Sequence, residues 1–184
     1  MNKIERDFIA HHGIPASSIE DLSGLPRTEW RQRMRSTNAL VSIAGAPCRA
    51  FGHRLRVSGG QCAQCNPHSL GYTRRHRSPG FVYVAFSTEL ACRKVGTAVD
   101  PRARIELLSR EKYGGAVDWV LEASFQTDRA GDVETRAQRA LKRFRQDGSY
   151  RKEGKSINAK ELFCADLQQV RKAIRKALRD IGRE

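Results

Sequence analysis

The stretch that most constrains this chain is residues 80–108, GFVYVAFSTELACRKVGTAVDPRARIELL. Phe81 to Phe86 is an unbroken apolar, β-branched and aromatic run, the pattern of a buried strand. Ser87 to Ala91 turns the chain, and Arg93 to Thr97 makes a second strand. Asp100 can accept from the first free N–H groups of a helix, and Pro101, with no N–H to lose, suits the first helical position. That helix runs through Arg104 and Ile105 to Leu108. The unit is strand, turn, strand and capped helix.

The residues that follow extend it. Val117 to Phe125 reads as a third strand, and Asp128 or Asp132 begins a helix. On it Val133, Ala137, Ala140, Leu141 and Phe144 share one apolar face. Glu134 sits at the edge of that face, one turn before Gln138. Residues 147–160 read as a polar, basic, glycine-containing loop and Glu161 to Cys164 as a short strand. A last helix turns Leu167, Val170, Ile174, Leu178 and Ile181 inward and carries Arg171, Lys172, Arg175, Lys176 and Arg179 elsewhere. The expected fold class is α/β of the α+β type, a small mixed or antiparallel sheet flanked by helices over residues 79–184.

The order of these motifs resembles the GIY-YIG nuclease family, in its phage-type variant. Phe81-Val82-Tyr83 stands as the first motif and Lys94-Val95-Gly96 as the second. Arg104 stands where the family has its helix arginine, Glu134 where it has a metal-ligand glutamate, and Glu161-Leu162-Phe163 where the variant closes its sheet. The likeness spans residues 80 to 165, and two motif positions depart from it: Phe81 replaces a glycine and Lys94 a tyrosine. The resemblance implies a metal-dependent DNA endonuclease. Tyr83 would orient or deprotonate water, and Lys94 would favour its phenolate or hold a phosphate. Arg104 would neutralise the phosphate, and Glu134 would hold one Mg2+ or Mn2+. Asn158 is offered as the counterpart of a family asparagine. The alternative is a DNA-binding module that keeps the fold without cutting. A partner-binding protein whose charge serves only solubility is a third reading.

Charge supports a polyanionic partner independently of any family. The 184 residues carry a formal +14, and residues 1–78 alone hold 12 Lys+Arg against 5 Asp+Glu. Phosphates attract such a chain and release counterions on binding. No apolar run is long enough for a membrane span, and the N-terminus lacks a signal-peptide pattern. Five cysteines, an odd number, fit a reducing compartment, so a cytoplasmic protein is expected.

Residues 1–40 are expected to be helical. MNKIERDFIAHH makes one short helix, Ser17 or Ser18 caps a second through Leu22, and PRTEWRQRMRS makes a third with Trp30 and Met34 inward. Its arginines suit either a helix-turn-helix reader or a solvated helical cap. Residues 41–78 are more specific. Cys48 and His53 precede a Ser58-Gly59-Gly60 turn, and the Cys-x-x-Cys pair Cys62 and Cys65 follows it. A hairpin there returns the first half to the second, giving four ligands for a structural Zn2+ in a segment too poor in apolar residues to fold alone. His68 can replace His53 on spacing alone, and reduced or redox-active thiols are the competing readings. Residues 66–79 look like a basic linker.

Overall fold

The computed structural model describes residues 1–182, which fall into two compact units, Met1–Arg77 and a second unit beginning at Ser78. In the first, α1 (Lys3–His11) opens on a capping box: Asn2 accepts from the Glu5 N–H while the Glu5 carboxylate accepts from the Asn2 N–H. Glu5 is buried and also pairs with Arg54. A 3-10 turn at Ala16–Ser18 leads into β1 (Ile19–Leu22), which runs parallel to β2 (Val41–Ala44). The helix expected after Ser17 is therefore a strand. Ile19 and Leu22 gain burial as the edge of a sheet, and so short a helix gains little. Between them lies α2 (Arg27–Ser36), with Trp30 and Met34 buried.

Strand β3 (Leu55–Arg56) pairs antiparallel with β2 and bridges from Arg56 to Cys62 across a turn in which Gly60 takes a positive φ of 86°. The expected hairpin is present. The expected linker is not: α3 (Pro67–His76) occupies it, with Pro67 at its start and Leu70 and Thr73 buried. Arg77 follows, buried, its guanidinium donating to the carbonyls of Met34, Thr37 and Ala39. One cation closes three orphan carbonyls near the end of α2, which explains why a basic segment is structured.

The second unit is built on β4 (Gly80–Ser87) and β5 (Cys92–Ala98), an antiparallel hairpin, followed by α4 (Pro101–Arg110) and β6 (Val120–Thr127). Asp100 caps α4 by accepting from the Arg102 and Ala103 N–H groups. Then come α5 (Ala130–Ala140), β7 (Arg145–Gln146), β8 (Ser149–Lys152), β9 (Lys155–Asn158), β10 (Leu162–Phe163) and α6 (Leu167–Gly182). The five-stranded order is β6-β4-β5-β10-β7, and β8-β9 stand as a separate two-stranded ribbon. This mixed α and β architecture has the α+β character expected.

The loop expected over 147–160 is thus a hairpin. Glu153 and Gly154 take positive φ of 52° and 77°, the two-residue turn whose twist matches that of paired strands.

Alternation along β4 sends side chains into two separate cores. Val82, Val84 and Val95 meet α5 and α6 through Val133, Ala137, Val170 and Ile174. Tyr83 and Ala85 meet Ile105 and Leu108 of α4, together with Tyr113 and Trp119. Each buried aliphatic side chain contributes about 1.5–3 kcal/mol of transfer free energy, so the sheet is fixed from both faces. The face that holds Tyr83 also receives Lys94 of β5.

Candidate functional site

Register decides which side chains meet. Tyr83 on β4 pairs with Gly96 on β5, and Ala85 pairs with Lys94. Gly96 leaves room for the Tyr83 ring: a Cβ placed there would lie 2.6 Å from the Tyr83 hydroxyl oxygen. From α4, the half-buried Arg104 comes up to that hydroxyl, near enough for each to act on the other's charge. Burial opposes the Arg104 charge, but the Tyr83 oxygen and the carboxylates of Glu111 and Glu161 hold its pKa above the ordinary arginine value. Tyr83 itself is 1% exposed.

Lys94 is 2% exposed, and its ammonium pairs with the carboxylate of Glu161, just before β10. It lies 4.7 Å from the centre of the Tyr113 ring and 5.8 Å from that of Tyr83. Burial works against its charge, yet Tyr83, Glu161 and Tyr113 together raise its pKa. Tyr113 is buried; its hydroxyl is pushed up by that burial, against the pull of Lys94. Tyr150 of β8 packs against it at a tilt, ring centres 5.0 Å apart. The basic hairpin is thereby seated beside the cluster, a placement that the Lys152–Glu111 pair at 2.8 Å reinforces.

Tyr83, Lys94 and Arg104 therefore form one cluster, and Glu161 and Tyr113 complete it. Glu134 comes from the other helical layer. It sits half-buried on α5 and accepts from Gln138 Nε2 at 3.2 Å, while the same nitrogen donates to the Val95 carbonyl at 3.0 Å. That carbonyl belongs to the residue between Lys94 and Gly96. Asn158 ends β9 and is exposed.

In the first unit, Cys48, His53, Cys62 and Cys65 bring one ligand atom each within 4.8 Å of one another. The separations are 3.8 Å for Cys48–Cys65, 3.4 Å for Cys65–His53 and 3.7 Å for Cys62–His53. A tetrahedron of metal–sulfur bonds of about 2.3 Å has edges of about 3.8 Å, so the donor set fits a tetrahedral ion such as zinc. Backbone N–H groups of Phe51 and Cys65 point at the Cys48 and Cys62 sulfurs. The Phe51 N–H is the main cause of a Cys48 thiol lowered to about 6. His68 lies outside this group, on α3.

Beside it opens a cavity of about 570 Å3 whose walls include Trp30, Arg27, Arg31, Arg49 and Arg56, with no carboxylate among the lining residues. Such a single-sign cleft attracts anions. No helix among the described residues is long and apolar enough to cross a membrane.

Residues 80–178 match the family model of the T5orf172 domain, a nuclease-associated domain. No curated protein and no solved structure matches the chain.

Proposed function

The chain belongs to the T5orf172 domain family, and from that premise we propose that it is a metal-dependent DNA endonuclease of GIY-YIG type. The observation that carries this reading is the packing of Tyr83 on Gly96 with the buried Lys94 ammonium beside its ring and Arg104 approaching from α4. Phosphodiester hydrolysis needs a group to take a proton from water and a group to neutralise the growing phosphoryl charge. Arg104 presents a planar fork suited to two phosphate oxygens. On substrate binding it would engage the phosphate, while the Tyr83 oxygen accepts the proton of the attacking water. Lys94, held by Glu161, would favour the phenolate electrostatically. Glu134 would hold one magnesium ion, whose contribution is charge neutralisation at the phosphate.

The first unit would grip the nucleic acid, with a structural zinc on Cys48, His53, Cys62 and Cys65 fixing the cavity wall that carries the arginines. The basic β8–β9 hairpin would touch the backbone nearer the cluster. A second reading has its own support. Tyr83 is sealed from solvent and the Lys94 ammonium is already paired, as suits a fold that binds DNA without cutting it.

Incubation of supercoiled plasmid with protein and magnesium separates the two. Nicking is expected, with Glu134→Ala losing about two to three orders of magnitude in rate while DNA affinity stays nearly intact. Arg104→Ala should lose most of the rate and some affinity, because the guanidinium touches phosphate before and during the reaction. Wild-type protein that binds plasmid yet leaves it intact with magnesium or manganese sinks the nuclease reading.

A further inference from the structure

Two of the five cysteines lie outside both sites, and the sheet brings them together. We propose that Cys92 and Cys164 are a reversible disulfide site that clamps β5 to β10. Leu162 faces Lys94 and Phe163 faces Arg93, so the next step of the same register sets Cys164 opposite Cys92. The Cys164 N–H donates to the Phe144 carbonyl, away from β5. In an antiparallel ladder a residue turns both its backbone groups to the same side, so the Cys92–Cys164 pair is a non-hydrogen-bonded one. Such pairs hold their Cα atoms at about 4.5 Å, inside the roughly 4.4–6.8 Å that a disulfide spans. The two sulfurs are 2.6 Å apart and share one acceptor, Gln146 Oε1, at 3.1 and 2.5 Å.

The two thiols differ in a way that orders the chemistry. Cys92 is fully buried and Cys164 is exposed. Burial, and the Cys164 thiol beside it, push Cys92 up to about 12. Cys164 is therefore the entry point. Its thiolate attacks a low-molecular-weight disulfide such as oxidised glutathione, breaking that S–S bond and releasing one thiol. Cys92 then attacks the Cys164 sulfur of the mixed disulfide, loses its proton and expels the second thiol. Two protein thiols are oxidised to one disulfide, and the small disulfide is reduced to two thiols. In a reducing compartment such a bond is transient and sensing in character. Its position is specific: Cys92 precedes Lys94 by two residues, and Cys164 follows Glu161 by three. The bond would pin the two strands whose ends present that ion pair, across a sequence separation of 72 residues.

The test uses the full chain, loaded with zinc and folded, incubated with oxidised glutathione at pH 8. Remaining thiols are then alkylated, and peptides are mapped without reduction. The expected product is an intramolecular Cys92–Cys164 link with a loss of about 2 Da, two hydrogens. Dithiothreitol should reverse it, and it should shift urea unfolding of the second unit to higher concentration. Cys92→Ala and Cys164→Ala should each abolish the link; Cys164→Ala alters an exposed side chain and serves if the buried variant fails to fold. Three results overturn the proposal. They are alkylation of both thiols after oxidant treatment of folded protein, arrest at a glutathione adduct on Cys164, and links that instead involve Cys48, Cys62 or Cys65. None depends on whether the protein cuts DNA.

Discussion

Gly96 has no side chain because the Tyr83 ring fills the space where one would be, and that contact orders the cluster around it. Within one tripeptide of β5, Lys94 enters the α4 core, Val95 the opposite core, and Gly96 is the floor under Tyr83. The tripeptide was legible as a motif, and the packing of Tyr83 on Gly96 follows from it. The Lys94 counterion was not legible as one, because Glu161 lies 67 positions away and only the pairing of β10 with β5 brings it in. The same holds for Tyr113. These residues permit a prediction that separates folding from chemistry. Glu161→Gln leaves a buried ammonium without its carboxylate. A wholly buried pair broken in this way costs about 3–5 kcal/mol. The Glu161 side chain is 37% exposed, so water softens the loss to about 1–2 kcal/mol, measurable by urea titration. Because the folded pKa of Lys94 is raised, its contribution is fully present below the unfolded value of about 10.4 and fades as pH rises through the folded one. Lys94→Met should fold nearly as well as wild type, since it removes the buried charge itself and leaves only the Glu161 carboxylate, which water reaches. It should nevertheless lose nicking if the ammonium assists Tyr83. Nicking unchanged in a folded Lys94→Met protein would leave Lys94 as packing alone.

At the scale of elements, period and turn chemistry carried most of the fold. The β4–β5 hairpin, α4 with its Asp100 cap, α5 and α6 all follow from spacing that no long-range contact overrides. Two of the misread segments share a cause. Residues 66–79 and 147–160 are basic and polar, and charge hid the local signals: Asn66-Pro67 opening α3, and Glu153-Gly154 turning β8 into β9. In both, burial of a few residues (Leu70 and Thr73, or Tyr150 against Tyr113) supplies what the composition lacks. The hairpin from Cys48 to Cys65 behaves in the opposite way, because its ligands were legible and its core is small. Leu55, Val57 and Ala63 are its buried apolar residues. A metal bound there would be folding free energy for this element. Protein purified without added metal should carry about one equivalent of zinc per chain by elemental analysis. Cys62→Ser should lose it and raise amide exchange over residues 48–65, with the second unit unchanged. An undiminished zinc content in that variant, or a metal-free protein of unaltered exchange, would remove the structural role.

For the whole molecule the governing quantity is charge, and it is divided evenly: residues 1–78 and 79–184 each carry a net +7. Each unit also gathers some of it in a definite place. In the first, four arginines line a cavity with no carboxylate in its walls. In the second, Arg151, Lys152 and Lys155 stand exposed on the β8–β9 hairpin, and Lys172, Arg175 and Lys176 on the outer face of α6. A chain whose cations served only solubility would have no reason to spare that cavity a counter-charge. If both units contact phosphate, binding must fall steeply with salt, because each neutralised phosphate releases a condensed counterion. The expected slope of log affinity against log salt for duplex DNA is about −4 or steeper, read by fluorescence anisotropy in calcium so that cutting is suppressed. Arg31→Ala and Arg56→Ala, both lining the cavity, should each make the slope shallower by about one, with little change in sequence preference. Arg151→Ala should do the same from the other unit. An affinity that barely moves between low and physiological salt would mean that the charge has no polyanion to meet, and the third reading, a partner other than nucleic acid, would take its place.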